Sequence, residues 1–385
     1  MSTTAPSPAA AGTEIRLDPP AEAVVFMGPD RALERIAVTE LVLHEGEALV
    51  AVELATVCGS DLHTAAGHRR VAVPQVLGHE QLGRVVALGP GLPPLALDGT
   101  PVAVGDRIVW AVPVSCGSCR QCLRGFPNKC EQLVKYGHEQ MRRGWELNGG
   151  IATHVHLLPR TAIVRVREDL AAEVLAPASC ATATVAAVLA SAEEVRSLDG
   201  EIVLVAGCGM LGLTAVAMAS EAGARVVAVD PSAARRALAG DFGADAVAEP
   251  SAAAVREAIA IAARTGRAQT AGASGFGIGL ELSGANESVS LLLETADIGA
   301  TIVLAGSVFT APSVPLSAEH VVRRLLTIRG VHNYRPEHLA RAVAFLEHSD
   351  QLAFAALVGE VVAFADAERA LLHPPAIGAR AAVRP

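Results

Sequence analysis

Six of the seven cysteines and one histidine stand in two arrangements suited to metal coordination. Cys116, Cys119, Cys122 and Cys130 form C-x2-C-x2-C-x7-C. Three thiolates at three-residue intervals and a fourth eight positions later let a single loop wrap one tetrahedral ion, the saturated donor set of a structural zinc. Disulfides are the alternative, but cysteines so closely spaced pair poorly with one another, and no secretory signal places them in an oxidising compartment. Cys58, His79 and Cys180 stand far apart, within Cys58-Gly59-Ser60-Asp61-Leu62-His63, Gly78-His79-Glu80 and Pro177-Ala178-Ser179-Cys180. Two thiolates and an imidazole would leave zinc one exchangeable position and enough Lewis acidity to ionise an alcohol. Each of the three, alone, reads equally well as a buried structural residue. Together, and beside a nucleotide site, they favour a catalytic metal.

That nucleotide site is Gly207-Cys208-Gly209-Met210-Leu211-Gly212. The hexapeptide follows an apolar strand and opens a helix, the context in which Gly207, Gly209 and Gly212 permit a tight turn and a pyrophosphate sits on the helix N-terminus over Met210 and Leu211. The next strand ends in Asp230, suited to accept hydrogen bonds from both hydroxyls of an adenosine ribose and to repel a 2′-phosphate. This argues for NAD over NADP. An aspartate at a strand end with no ligand is the alternative. Arg235 either reaches the same ribose or faces solvent. Cys208 fits no metal pattern and reads as a small apolar filler.

These residues need a scaffold. A chain of 385 residues exceeds the usual span of one core, so two domains are expected. From Ala21 to about Val114, short apolar stretches punctuated by Gly, Pro and Asp read as a compact, barrel-like β domain. From Ala181 helices alternate with near-continuously apolar strands, the pattern of a parallel α/β sheet covered on both faces. Ser251 to Gly277 reads as a helix followed by a flexible loop, and Pro336 to His348 as a helix before a β-rich tail that rejoins the first domain. The expected division is a disordered Ala/Pro/Ser/Thr-rich tail over 1–20, a catalytic domain over 21–181 and 333–385, and a nucleotide-binding domain over 182–332. With 51% hydrophobic and 18% charged residues the composition is that of a globular protein. A net charge of −9 without a Lys/Arg cluster argues against nucleic acid and anionic membranes, and no apolar run reaches the length of a membrane span. A cytoplasmic location is expected.

CGSDLH from Cys58, GHE from Gly78, the four-cysteine lobe, the Cys180 segment and AGCGMLG from Ala206 with Asp230 follow one another in a characteristic order. In these motifs the chain resembles the zinc-dependent medium-chain alcohol dehydrogenases over nearly all its length after Ala21. The resemblance implies an α/β protein with a β-rich GroES-like catalytic domain and a Rossmann domain, a doubly wound parallel sheet. It also implies two zinc ions per chain, NAD, a homodimer or homotetramer, and hydride transfer between NAD(H) and a small alcohol or carbonyl substrate. Cys58, His79 and Cys180 match the ligands of the catalytic zinc, and Cys116, Cys119, Cys122 and Cys130 those of the structural one. Glu80 resembles an acid that can enter the coordination sphere, and Asp61 the carboxylate that orients the histidine ligand. Ser60 resembles the hydroxyl that receives the substrate proton and His63 the histidine that relays it. Arg380 resembles an arginine on the cofactor pyrophosphate, with a solvated surface arginine as the alternative.

Lys135-Tyr136-Gly137-His138-Glu139 and Gly330-Val331-His332-Asn333-Tyr334 are similar to a branch of the family associated with phosphonate metabolism. That similarity implies a hydroxyalkylphosphonate or its aldehyde as substrate. Lys135, His138 and His332 are the candidate substrate residues, and Arg142 and Arg143 could add donors for a compact dianion unless they face water. A neutral secondary alcohol or polyol is the competing substrate class. A non-catalytic nucleotide-binding relative is a further alternative, although such a protein would be expected to lose the open metal site first.

Overall fold

The computed structural model describes residues 12–264, 273–349, 351–372 and 380–385. It divides into two compact units, whose described parts are 12–179, 360–372 and 381–385 for the first and 180–264, 273–349, 351–359 and Arg380 for the second.

Alternating apolar and polar residues early in the chain build antiparallel sheet, with one side of each strand turned inward. In order these elements are β1 (Thr13–Phe26), β2 (Glu34–Leu43), β3 (Ala48–Thr56), α1 (Gly59–Ala65), β4 (Gln75–Val76), β5 (Glu80–Leu88), β6 (Arg107–Trp110), β7 (His154–Leu157) and β8 (Ile163–Arg165). One sheet has the order β2-β1-β4. In the larger sheet β8, β6, β5 and β3 are neighbours; β7 pairs with the first half of β3, and the C-terminal strand Arg380–Arg384 pairs with its last two residues. Val50, Val85, Ile108, Trp110 and Tyr136 fill one side of this sheet. The functional loops leave from its strand ends.

Residues 13–20, expected to belong to a disordered tail, instead lie in strand β1. Thr13–Arg16 pair with Leu43–Glu40, and after a register shift the pairing resumes at Ala21 opposite Val38. Asp18, Pro19 and Pro20 interrupt the local alternation, but a partner strand supplies order that local pattern cannot report. Residues 1–11 lie outside the described residues.

The second unit alternates α2 (Ala181–Glu193), β9 (Ile202–Ala206), α3 (Met210–Glu221), β10 (Arg225–Val229), α4 (Ala233–Asp241), β11 (Ala246–Ala248), α5 (Ala252–Arg264), β12 (Phe276–Glu281), α6 (Asn286–Thr295), β13 (Ala296–Leu304), α7 (Ala318–Arg324), β14 (Thr327–Gly330) and α8 (Pro336–His348). The strands form one parallel sheet in the order β11-β10-β9-β12-β13-β14. Every residue of β9 is buried, as required of a strand covered on both faces. The order reverses between β9 and β12, and a ligand crevice is expected at the carboxyl ends of strands at such a point.

The boundary at 332 also moves. α8 belongs to the second unit: it packs on α2, and Arg341 bridges to Glu193 at 2.6 Å. Its periodicity marks Leu339, Ala342, Val343 and Leu346 as an inward face without saying which body they face. The helix expected after Ser251 is α5; most of the loop expected after it, 265–272, lies outside the described residues. Among the described residues no single helix is long and apolar enough to cross a membrane.

Candidate active site

Cys58 occupies the N-cap position of α1, in extended backbone two residues past the end of β3. One buried carboxylate ties it to the second ligand loop. Asp61 Oδ2 accepts the Cys58 N–H at 3.0 Å, while Oδ1 accepts the Gly78 N–H at 3.3 Å and lies 3.2 Å from His79 Nδ1. A carboxylate this close to Nδ1 favours the tautomer with its hydrogen there, which turns Nε2 into the ring nitrogen suited to a metal. Gly78 is irreplaceable here, since its φ is +91° and a Cβ would stand 2.8 Å from the Ile151 nitrogen. Ser179 Oγ donates to the His79 carbonyl at 3.0 Å, and Cys180 is the next residue in the chain. The ligand atoms of Cys58, His79 and Cys180 all lie within 4.8 Å of one another. Two sulfurs and one imidazole are a donor set that fits zinc with a position to spare. Burial opposes charge on His79, but the Asp61 carboxylate and the Cys58 thiolate outweigh it and raise the imidazole pKa well above its usual range.

Of the other residues expected around this centre, Ser60 stands beside the ligand nitrogen, its Oγ 3.3 Å from His79 Nε2. Glu80 is fully buried and accepts the Thr56 hydroxyl at 2.8 Å. His63 lies exposed in the last turn of α1, its Nδ1 3.3 Å from His68 Nδ1.

The four cysteines of the lobe converge from one continuous loop. Their sulfurs approach at 3.5 Å (Cys119 to Cys122), 3.8 Å (Cys119 to Cys130) and 3.5 Å (Cys130 to Cys116). Thiolates on a tetrahedral zinc at about 2.3 Å are separated by roughly 3.8 Å, so the lobe fits the metal. Backbone N–H groups of Cys116, Cys119, Glu131 and Gln132 point at these sulfurs from 3.3–3.4 Å. Donors of this kind, from Ser118 and Cys119, lower the Cys116 pKa to about 6, while burial pushes Cys122 up to about 12.

In the second unit β9 runs into the glycine loop at the point where the strand order reverses. Gly207 has a φ of +98°, and a Cβ on Gly212 would stand 1.7 Å from the Gly207 oxygen. A Cβ on Gly209 would meet nothing within 4 Å, leaving the open space that a close-approaching pyrophosphate needs. Met210 and Leu211 open α3 behind it. Asp230 is buried beside this loop, accepting the N–H of Cys208 and that of Ser232, each at 2.8 Å. Arg235 lies 3.9 Å from the same carboxylate, and Arg236, unforeseen, donates to the Asp230 carbonyl at 2.7 Å. Burial and the neighbouring Asp230 push the Cys208 thiol up to about 12, in keeping with an inert filler. Arg380, half-buried, begins the C-terminal strand.

The two stretches of chain that carry most of these residues match known domain families. Residues 44–168 match the alcohol dehydrogenase GroES-like domain, and residues 211–348 the zinc-binding dehydrogenase domain. An L-threonine 3-dehydrogenase of Streptomyces coelicolor is 31% identical over 302 residues, 77% of this chain and 79% of the relative. The chain belongs to the zinc-dependent medium-chain alcohol dehydrogenase family. Among solved structures, an alcohol dehydrogenase from Thermotoga maritima matches with a TM-score of 0.84 at 28% identity, over 95% of this chain and 99% of the other. A zinc-binding dehydrogenase from Sinorhizobium meliloti bound to NADP matches with a TM-score of 0.79 at 26% identity, over 95% and 99% of the two chains. The fold is the expected one, a GroES-like β-rich domain and a Rossmann parallel sheet.

The candidate substrate residues of this dehydrogenase separate. The His138 ring lies over the His79 ring, with centroids 4.3 Å apart and planes tilted by 35°. Burial, with His79, Lys135 and Arg69 nearby, holds His138 well below the usual histidine range. Lys135 is half-buried, and burial and Arg69 lower its pKa. Arg142 and Arg143 instead line a cavity of about 520 Å³ with Glu14, Glu40, His44 and Glu47, and Arg142 lies over the Trp145 ring at 4.8 Å. His332 is exposed on the turn after β14. Thr56 and Arg69 were missed. Thr56 is a polar residue ending an apolar strand two positions before a ligand, a weak signal; Arg69 carries no local signal.

Proposed function

We propose that this protein is an NAD-dependent dehydrogenase that interconverts a small alcohol and its carbonyl compound at a zinc held by Cys58, His79 and Cys180. The open three-donor centre, backed by Asp61, carries the reading. A scaffold that had lost the reaction would have no use for a position left free on the metal. When bound, zinc supplies Lewis acidity toward the substrate oxygen and NAD the hydride acceptor, or NADH the donor in reverse.

The chain's own groups do the rest. Asp61 holds Nδ1–H so that Nε2 of His79 stays available as a ligand. Ser60, beside that nitrogen, accepts the substrate hydroxyl proton as it releases its own toward His63, which with His68 leads to solvent. Glu80 stands behind the ligands as a reserve carboxylate. Asp230 accepts the ribose hydroxyls and disfavours a 2′-phosphate, while Gly207, Gly209, Gly212 and the start of α3 cradle the pyrophosphate, which Arg380 contacts; Arg235 flanks the ribose. The cysteine lobe holds a second, structural zinc. Leu325 and Ile328, exposed on and beside the edge strand β14, support assembly as a homo-oligomer. Candidate substrates are a hydroxyalkylphosphonate or its aldehyde, a neutral secondary alcohol or polyol, and a 3-hydroxy amino acid such as the relatives' L-threonine.

Metal analysis and an NAD-reduction screen over these substrates test the proposal. Two zincs per chain are expected, with turnover that falls about 100-fold or more in Ser60→Ala. One zinc per chain and no turnover of any alcohol or aldehyde would instead favour a nucleotide-binding scaffold.

A further inference from the structure

Partly buried arginines in the β-rich unit are generally matched by acids. Arg107 pairs with Glu53 at 2.8 Å, and Arg165 with Asp98 at 3.0 Å. Two cations near the open centre are exceptions. Arg69, on the loop after α1, and Lys135 are both half-buried, and neither forms an ion pair among the described residues. Glu139, four residues on, accepts the Lys135 backbone N–H at 3.1 Å, and its charge offsets the ammonium only in part, since burial and Arg69 still lower the Lys135 pKa. Like charges that repel in a partly desolvated place cost stability unless an anion joins them. The partner Arg69 does have is informative: its Nη1 lies 3.3 Å from His138 Nδ1. A guanidinium can only donate, so Nδ1 is the acceptor and the ring hydrogen sits on Nε2, a third donor. That ring stacks on His79.

We propose that Arg69, Lys135 and the Nε2–H of His138 form an anion-binding subsite beside the catalytic centre, selecting alcohols that carry a carboxylate or phosphonate close to the carbinol carbon. The inference rests on the reading of His79 as a catalytic-metal ligand. Both anions present coplanar or clustered oxygens to a guanidinium and an ammonium, and both would offset the charge that Glu139 meets only in part.

The test compares kcat/KM for 3-hydroxybutyrate and 2-hydroxyethylphosphonate with that for 2-butanol, in the zinc-loaded wild type and in Arg69→Gln and Lys135→Met. The anionic-to-neutral ratio should be about 50 or more in the wild type and fall about 10-fold in each variant, mainly through KM. Calorimetric titration of the wild type with butyrate and with ethylphosphonate reads binding without turnover, and the tighter of the two identifies the anion. Equal use of anionic and neutral alcohols, a ratio unchanged in both variants, or no binding of either anion at about 10 mM would overturn the subsite. A protein that binds an anion but turns over no alcohol keeps the subsite and defeats the oxidoreductase reading instead.

Discussion

The cysteine lobe and the open centre are built by opposite means. In the lobe every proposed ligand lies between Cys116 and Cys130, and the groups that steady the sulfurs are backbone N–H donors of the same loop. In the open centre the proposed ligands lie at 58, 79 and 180, and the steadying groups are side chains: Asp61 on His79, Thr56 on Glu80 and Ser179 on the His79 carbonyl. A closed site is thus the property of one loop, while an open site depends on what the fold brings together. Backbone donors persist through most substitutions. Side-chain donors do not, so the two centres should respond very differently to mutation.

The largest contrast is between ligand replacements. Cys58→Ser should cut turnover at least about 1000-fold, leave one zinc per chain and barely move Tm. Cys119→Ser should also cost one zinc, but lower Tm by about 5 °C or more and spare the turnover of enzyme that remains folded. Zinc content, melting and kcat measured on both variants settle it. The contrast is broken if Cys119→Ser silences folded enzyme or Cys58→Ser unfolds it.

Asp61→Asn sharpens the point without touching a ligand. The amide keeps the size of the carboxylate but loses the charge that holds His79 Nδ1–H, and its NH2 group faces the N–H of Cys58 or Gly78. Zinc affinity at the open centre should fall about 10- to 100-fold, seen in competition with a chelator, with the lobe's zinc retained. Loss of both metals at the same chelator concentration would show that the centres are not independent.

The same division governs what can be read from the chain. The lobe and the glycine loop are contiguous, so spacing alone exposes which cysteines converge and where the chain turns. Cys58, His79 and Cys180 were legible only because each sits in a short motif of known order. Thr56 and Arg69 had no such motif, and their significance arises from neighbours at Glu80 and His138 that only folding supplies. Proximity in sequence also misled. Arg142 and Arg143 follow Lys135 and His138 closely, yet they turn to a separate cavity with Trp145. The order of Thr13–Arg16 and the attachment of α8 were hidden for a related reason, since periodicity reports which face is apolar and not which surface covers it.

The finest test removes one hydroxyl. Thr56 pairs in register with Glu80 across β3 and β5, both side chains are fully buried, and Oγ1 donates to Oε2 at 2.8 Å. Thr56→Val preserves the branched shape and deletes only the donor, leaving a buried carboxylate oxygen short of one partner. That should cost about 1–2 kcal/mol, a few degrees in Tm. Because Glu80 follows a ligand directly, a looser carboxylate should also let His79 drift, and kcat should fall by a few fold while the lobe keeps its zinc. The size of the loss carries the argument. A fall as deep as that of Cys58→Ser would make Glu80 a partner in ligation, whereas unchanged melting and kcat would mean that Asp61 and Ser179 organise the open centre without it.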